Sequence, residues 1–382
     1  MAGGSPRLRL PAALLALFAW ALAGPAVSQR AAQVPDDDLS RGAPSRTLDS
    51  GVLRAVYLDL LGRPPYRAER DEWLGRQLAD LLGELTRGEE LWEHWTEEQL
   101  YYFLLIDNFR PRSDRVVAIP GDLREGRIGV RDAIHRIVLS SSFDQRNPGP
   151  DTFVTVVMEQ LLGLTVQKQP RELHIGKQLY DGQEGMFLGR RGRSQADVVK
   201  ISIEDRRCLS QLLEREYRRL LRRDPDRREL ARWTKRLDKD PLAYRDLFRD
   251  WIQSEAYEQR LSEEIVQPNR LYVRSMYVDL VDRLPDKEEE RRMRNALDGL
   301  SDPGPLRAVL ARLLLDSGTA ALPAKDEIED PTAWVGGLFE RLYGRAATPT
   351  ELKSFVTAFH DPACRPATVL YALVSHPEYH SF

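Results

Sequence analysis

The chain reads Tyr57-x-x-Leu60-Leu61-Gly62-Arg63 near its start, and related sequences occur at four later positions. In each copy a large residue is followed, three places later, by leucine and then by another apolar residue. After a longer first interval the copies recur about every 60 residues, a spacing typical of tandem arrays of small units. The later copies are Met158-x-x-Leu161-Leu162-Gly163, Tyr217-x-x-Leu220-Leu221-x-Arg223, Tyr277-x-x-Leu280-Val281-x-Arg283 and Phe339-x-x-Leu342-Tyr343-Gly344-Arg345.

The residues around each copy predict an amphipathic helix. Apolar residues fall at i, i+3, i+4, i+7 and i+8, which form one continuous stripe on a helix. Only the third copy interrupts the stripe, with Glu216 at the i+3 place. Arginine and then proline follow four of the copies, so we expect the arginine near the last carbonyls and the proline to end the helix. In the first copy the stripe is Leu53, Val56, Tyr57, Leu60 and Leu61.

A second and a third helix complete each predicted unit. The third-helix segments are residues 134–143, 198–208, 247–257, 306–315 and 369–379. Three short helices cannot enclose their own apolar faces, so neighbouring units must stack. The sequence therefore predicts an all-α fold, a tandem array of about five three-helix units. The predicted boundaries are a signal peptide at 1–28, a flexible leader at 29–49, and units at 50–150, 151–209, 210–267, 268–329 and 330–382.

The N-terminal segment has the pattern of an export signal. Arg7 and Arg9 precede the apolar run 10–22, and small residues follow at positions suited to signal peptidase. An uncleaved anchor is the alternative, although the run is short for a membrane span. No later segment is apolar enough for a second span. We therefore expect a soluble protein outside the cytoplasm, in the periplasm, at the cell surface or secreted.

Charge and cysteine content exclude several classes of function. The net charge is −3, and 30% of the residues are charged with both signs interspersed. Acidic residues interrupt the arginine-rich stretch 215–236, so it predicts a salt-bridged helix face and not a nucleic-acid interface. Cys208 and Cys364 are far apart in sequence, and a disulfide and two free thiols both remain open. No C-x-x-C or C-x-x-C-H motif is present, so no haem attachment is predicted.

Two resemblances cover most of the chain after the leader. The pattern Tyr-x-x-Leu-Leu-Gly-Arg-x-Pro resembles a short all-helical repeat of unknown function from secreted bacterial proteins, most closely at 217–257. The first unit is similar to a planctomycete-type, cytochrome-associated domain of unknown function, through residues 56–65 and the Leu91-Trp92-Glu93-His94-Trp95 segment. The resemblances imply an exported helical protein. They assign no catalytic residue, and the haem motif of the second family is missing.

Two segments contain the candidate binding residues. The predicted insertion at 82–128 is rich in aromatic residues, which form either a binding platform or, as we favour, core packing. The glycine-rich stretch 180–194 follows no predicted strand, which favours a connector over a phosphate-binding loop. Long irregular segments nevertheless often carry function. The candidate surface comprises Trp92, His94, Trp95, Tyr180, Arg190 and Arg191.

No catalytic, cofactor-binding or metal-binding residue is predicted. Pro377 breaks the helical geometry that would aim His376 and His380 at one metal ion. The chain has no G-x-S-x-G or S-x-x-K motif of nucleophilic catalysis. The leading hypothesis is a non-catalytic binding or scaffolding protein of the bacterial envelope or exterior, with other envelope or extracellular proteins as partners. The alternative is an extracytoplasmic enzyme or accessory factor with a site between the insertion and the glycine-rich stretch.

Overall fold

The structure is a computed structural model that describes residues 46–105, 113–320 and 322–381 of the chain. These residues are mostly helical, and the one sheet among them has two short strands. The all-α prediction is thus confirmed. The predicted signal peptide lies outside the described residues, as does most of the leader. In the part that is described, no helix has both the length and the apolar character needed to cross a membrane.

The described chain begins with eleven helices, and two short strands lie between the tenth and the eleventh of them. The first set is α1 (Ser50–Leu61), α2 (Arg67–Trp73), α3 (Leu78–Leu85), α4 (Glu89–Leu104), α5 (Asp114–Val117), α6 (Ile119–Arg124), α7 (Val130–Val138), α8 (Ser141–Arg146), α9 (Gly149–Val156), α10 (Pro170–Tyr180) and α11 (Gln195–Glu204). The strands are β1 (Gly185–Phe187) and β2 (Arg190–Gly192).

Ten further helices complete the described chain. They are α12 (Arg206–Leu221), α13 (Arg227–Lys239), α14 (Tyr244–Ile252), α15 (Glu255–Leu261), α16 (Asn269–Val281), α17 (Lys287–Asp298), α18 (Gly304–Asp316), α19 (Pro331–Tyr343), α20 (Pro349–His360) and α21 (Pro366–Val374). A π-helical turn at Val157–Leu161 extends α9. Short 3₁₀ turns lie at Val166–Lys168, Pro241–Ala243, Lys325–Glu327 and Pro377–His380.

The buried apolar side chains form two clusters. The first runs along the sequence from Leu48 to Tyr257, and the second from Tyr272 to Tyr379. Helix α1 of the first cluster contacts α19 of the second. A buried ion pair also joins the two clusters, because Arg54 of α1 lies 2.8 Å from a carboxylate oxygen of Asp279 of α16. The two clusters are therefore joined by a polar contact as well as by helix packing.

Four signature copies end in the same set of contacts. Each arginine pairs with the glutamate six residues later, which also accepts a hydrogen bond from the N-cap backbone of the next helix. The sequence had placed these arginines at the end of the preceding helix. The structure pairs them with the first turn of the following helix, because a carboxylate matches the guanidinium fork. The pairs are Arg63–Glu69 at 2.7 Å, Arg223–Glu229 at 2.8 Å, Arg283–Glu289 at 3.0 Å and Arg345–Glu351 at 2.8 Å.

Because of these pairs, the free energy of unfolding should fall as the pH becomes acidic. Hydrogen bonding to Arg345 lowers the pKa of Glu351 to about 2 from its ordinary 4.5. A carboxylate with a lowered folded-state pKa contributes stability above its ordinary pKa, and this contribution is lost as the pH falls toward 2. We expect Glu351→Gln, which keeps the capping hydrogen bond, to be less stable than wild type at neutral pH. Denaturant unfolding should show that this difference shrinks below about pH 4. A difference independent of pH would contradict the assignment.

Capping residues divide the predicted third helices. The segment 134–143 forms α7 and α8, and Ser140 between them accepts a hydrogen bond from the backbone N–H of Phe143. Ser254 separates α14 from α15 in the same way, and Asp205 separates α11 from α12. A side chain that accepts from the first turn starts a new helix, which is why one predicted helix becomes two.

The glycine-rich stretch contains a β-hairpin that the sequence analysis did not predict. Strands β1 and β2 pair in antiparallel fashion, with Phe187 opposite Arg190. The two-residue turn between them, Leu188 and Gly189, has φ angles of 48° and 78°. Positive φ at both turn positions matches the twist of a tight hairpin. The strands are only three residues long, too short to show an alternating pattern.

The structure answers the question left open for the cysteines. Cys208 and Cys364 are both free. Burial raises the pKa of Cys208 to about 11, which keeps this thiol protonated and unreactive at neutral pH. Within the described residues, no group of three histidine, cysteine or acidic side chains is placed to hold a metal ion.

Candidate ligand-binding cavity

The two predicted tryptophans lie in the core and not on an exposed platform. Trp92 and Trp95 are 2% and 3% exposed. Their rings meet edge to face, and the Trp95 indole N–H donates to the hydroxyl of Tyr244 at 3.2 Å. Because these rings pack between α4 and α14, they are not available to an external ligand.

Three of the predicted residues lie on or beside the hairpin. The hydroxyl of Tyr180 hydrogen-bonds Asp144 at 3.3 Å, and its ring contacts Phe153. Arg190 and Arg191 are exposed on β2, where they pair with Glu204 and Glu184. Each of these arginines thus has its own surface carboxylate.

A cavity of about 330 Å³ lies between the two core clusters, among α1, α4, α12, α16 and α17. Small-molecule sites usually have volumes of about 300–1,000 Å³. Of the six predicted residues, only His94 lines it. Apolar surface comes from Leu58, Tyr101, Pro268 and Leu271. Guanidinium groups come from Arg219, Arg222, Arg270, Arg274 and Arg294, and the charged wall also includes Asp59, Glu98 and Asp298.

Four of the five arginines are held by carboxylates of the same fold. Such pairs fix both side chains in place, and within each pair the two charges largely compensate each other. Glu290, which is 4% exposed, serves two of the arginines. Within these pairs the distances between guanidinium nitrogen and carboxylate oxygen are 2.8 Å for Arg219–Glu216, 2.9 Å for Arg270–Glu290, 3.1 Å for Arg274–Glu290 and 3.3 Å for Arg294–Asp298. Glu97 also pairs with Arg270 and Arg274.

Asp59 supplies a fully engaged carboxylate to the cavity wall. Its Oδ1 accepts from Arg260 at 2.9 Å, and its Oδ2 accepts from Arg260 at 2.7 Å and from the Tyr257 hydroxyl at 2.6 Å. Burial raises the pKa of Asp59, while Arg260 and Tyr257 act in the opposite direction. With three donors in place, this carboxylate serves as part of the framework.

His94 supplies a neutral imidazole. Burial, and then the charges of Arg274, Arg219 and Arg270, lower the pKa of His94 well below its ordinary value. Its Nδ1 atom is buried and has no hydrogen-bond partner among the described residues. The ring lies against Gly62, where an added Cβ would be 2.4 Å from the His94 Cε1 atom. The cavity wall thus contains an uncharged imidazole whose Nδ1 atom is buried against Gly62.

Arg222 differs from the other four arginines. It is exposed, and no described residue forms an ion pair or hydrogen bond with its side chain. It is the C-cap of α12 with φ of 52°, in the left-handed region. The equivalent residues of α1 and α19 are Gly62 and Gly344, with φ of 65° and 70°. Left-handed backbone costs an L-residue roughly 1–2 kcal/mol, so arginine is an unfavourable choice here for the fold alone.

Most of the cavity residues were missed by sequence reasoning, although a signal was present. Helices α1 and α16 share an Arg-x-x-Tyr-x-Asp pattern whose charged residues alternate with the apolar stripe, at Arg54 to Asp59 and at Arg274 to Asp279. Isolated charged residues in a largely apolar helix need partners once the helix is buried, and this requirement is a signal that the sequence contains. Glu216, which was noted as a departure from the stripe, pairs with Arg219 beside the cavity.

Searches against protein-family models, curated proteins and solved structures found no match to the chain. Function is therefore inferred from the geometry and chemistry of the cavity itself.

Proposed function

We propose that the protein acts by binding and not by catalysis, and that the cavity between α1, α4, α12, α16 and α17 is its small-molecule site. The main support for this proposal is that the cavity combines an apolar wall with arginines that are held in place by carboxylates. Arg270 and Arg274 are positioned by the buried carboxylate of Glu290 before any ligand arrives. A site with its polar groups already in place loses little entropy when it binds.

The acid–base groups of the cavity favour binding over catalysis. A general acid or base needs a pKa near the working pH and a free position next to substrate. The His94 imidazole is neutral because burial and three arginines lower its pKa. Asp59 and Asp298 are engaged by Arg260 and Arg294. The described groups of the cavity are therefore suited to hold a ligand and poorly suited to move a proton.

The cellular setting remains part of the proposal. The predicted signal peptide at 1–28 and the two family resemblances support an exported protein of the bacterial envelope or exterior. Stacked helices present long surfaces, which supports a scaffolding role with other envelope or extracellular proteins as partners. The enzymatic alternative has its site between the insertion and residues 180–194. No residue from 180–194 lines the cavity.

A cavity-filling variant tests the proposal. Leu271 lines the cavity, and Leu271→Trp should occupy part of its volume. Leu313, which is 60% exposed on α18, offers the matched control Leu313→Trp. Ligand-observed NMR would measure the binding of a set of small carboxylates and amides to the three proteins. We expect these compounds to bind wild type and the control and not to bind Leu271→Trp. Equal binding to all three proteins would refute the cavity as the site.

A further inference from the structure

We propose that the cavity binds a small molecule with one carboxylate and a short apolar body, and that Arg222 receives the carboxylate. This inference rests on the proposed binding function and adds the chemical class of the ligand. Arg219, Arg270, Arg274 and Arg294 already have carboxylate partners in the fold. Arg222 is the lining arginine that has none among the described residues.

Arg222 occupies a strained backbone position that the fold does not require. Backbone strain kept at one residue points to function when the fold itself does not require that residue. Glycine occupies the equivalent position of α1 and α19, and it would relieve the strain in α12. At the equivalent position of α16, Asp282 accepts a hydrogen bond from the Arg67 backbone N–H at 2.9 Å. Asp282 thus has a structural role, whereas Arg222 has no such contact in the described chain.

The surroundings of Arg222 favour an incoming anion. Burial, and then the charge of Arg260, lower the pKa of Arg222, and Asp59 and Glu263 offset this only in part, so an additional negative charge would stabilise the guanidinium. Its guanidinium fork matches a carboxylate through two parallel hydrogen bonds. One unpaired guanidinium balances a single negative charge, which favours a carboxylate over a phosphate monoester carrying about two charges at neutral pH.

The rest of the cavity fits the body of such a ligand. Tyr101, 44% exposed, and Leu271 offer apolar surface beside the charged groups. The His94 ring forms part of the wall, and its Nδ1 atom is buried against Gly62. A cavity of about 330 Å³ is at the small end of ligand sites, so the apolar body must be short.

The test compares acids with amides of the same shape. Isothermal titration calorimetry would measure the binding of hexanoate, benzoate, hexanamide and benzamide to wild type, Arg222→Gly and Asp282→Gly. Asp282→Gly is the matched control because it also introduces glycine at a left-handed C-cap, and Asp282 lies outside the cavity. Removal of a hydrogen bond to a charged group costs about 1.5–3 kcal/mol. We therefore expect wild type and Asp282→Gly to prefer the acids by about tenfold or more, and Arg222→Gly to lose that preference.

The outcomes separate this inference from the proposed function. If amides bind as well as acids and Arg222→Gly behaves as wild type, the ligand class is wrong while the cavity remains a binding site. If no compound binds wild type, both proposals fail. Thermal unfolding checks the variants, and Arg222→Gly should be at least as stable as wild type because glycine suits its φ of 52°. Arg222→Gln, which keeps most of the side-chain size, should also lose the preference for acids.

Discussion

Asp279→Ala is expected to lower the free energy of unfolding by about 3–5 kcal/mol, the usual cost of removing one partner of a buried ion pair. Arg54 donates to both oxygens of Asp279, at 3.1 and 2.8 Å, and the Tyr379 hydroxyl donates at 2.8 Å. The side chains of Arg54 and Asp279 are only 7% and 2% exposed. Without the carboxylate, a guanidinium and a hydroxyl would stay buried and partly unpaired. Equilibrium unfolding in guanidinium chloride measures the loss.

A combined variant separates this cost from the net value of the network. Arg54→Met, Asp279→Leu and Tyr379→Phe together replace the three polar side chains with apolar groups of comparable size, and they leave the Arg341 carbonyl that accepts from Arg54. Replacing a buried ion pair by packed apolar residues is often neutral or stabilising. We therefore expect the combined variant to recover most of the stability that Asp279→Ala loses. A loss below about 1 kcal/mol for Asp279→Ala alone would contradict the contact between the two core clusters.

Gly62→Ala is expected to cost about 2–5 kcal/mol, the sum of backbone strain and overpacking. Gly62 has φ of +65°, and an added Cβ would lie 2.4 Å from the His94 ring. The ring would have to move, and because it lines the cavity, ligand binding should weaken together with stability. Thermal or denaturant unfolding, combined with titration of a carboxylate probe, measures both effects.

Gly182→Ala is the matched control for this substitution. Gly182 has φ of +83°, and nothing lies within 4 Å of an added Cβ. It therefore reports the cost of left-handed backbone alone, roughly 1–2 kcal/mol. The excess for Gly62→Ala reports the clash with His94, and His94→Ala in the same chain should remove that excess. Equal losses for the two glycines would show that His94 does not press on Gly62.

The fold was largely predictable because helix periodicity is local. The stripe that begins at Leu53 and contains Tyr57 is buried, and its counterparts at Tyr217, Tyr277 and Phe339 are buried apart from the half-buried Val281 and Tyr343. A period of 3.6 residues can be read without knowing what the helix contacts. Helix ends were less predictable, since capping by Ser140 and Ser254 divides segments that had been predicted as single helices.

The cavity could not be predicted in the same way because its walls come from five helices distant in sequence. His94 on α4 meets Gly62 at the end of α1, and Arg274 on α16 approaches the same region. Only tertiary packing brings these residues together. The aromatic residues that drew attention, Trp92 and Trp95, belong to the core, as apolar rings usually do.

The most direct measurement for the central claim is a crystal structure of the protein soaked with 4-bromobenzoate, with data collected at the bromine absorption edge. The account predicts an anomalous peak inside the cavity, and carboxylate density on the guanidinium of Arg222. A cavity holding only water, with bromine peaks elsewhere or absent, would contradict it.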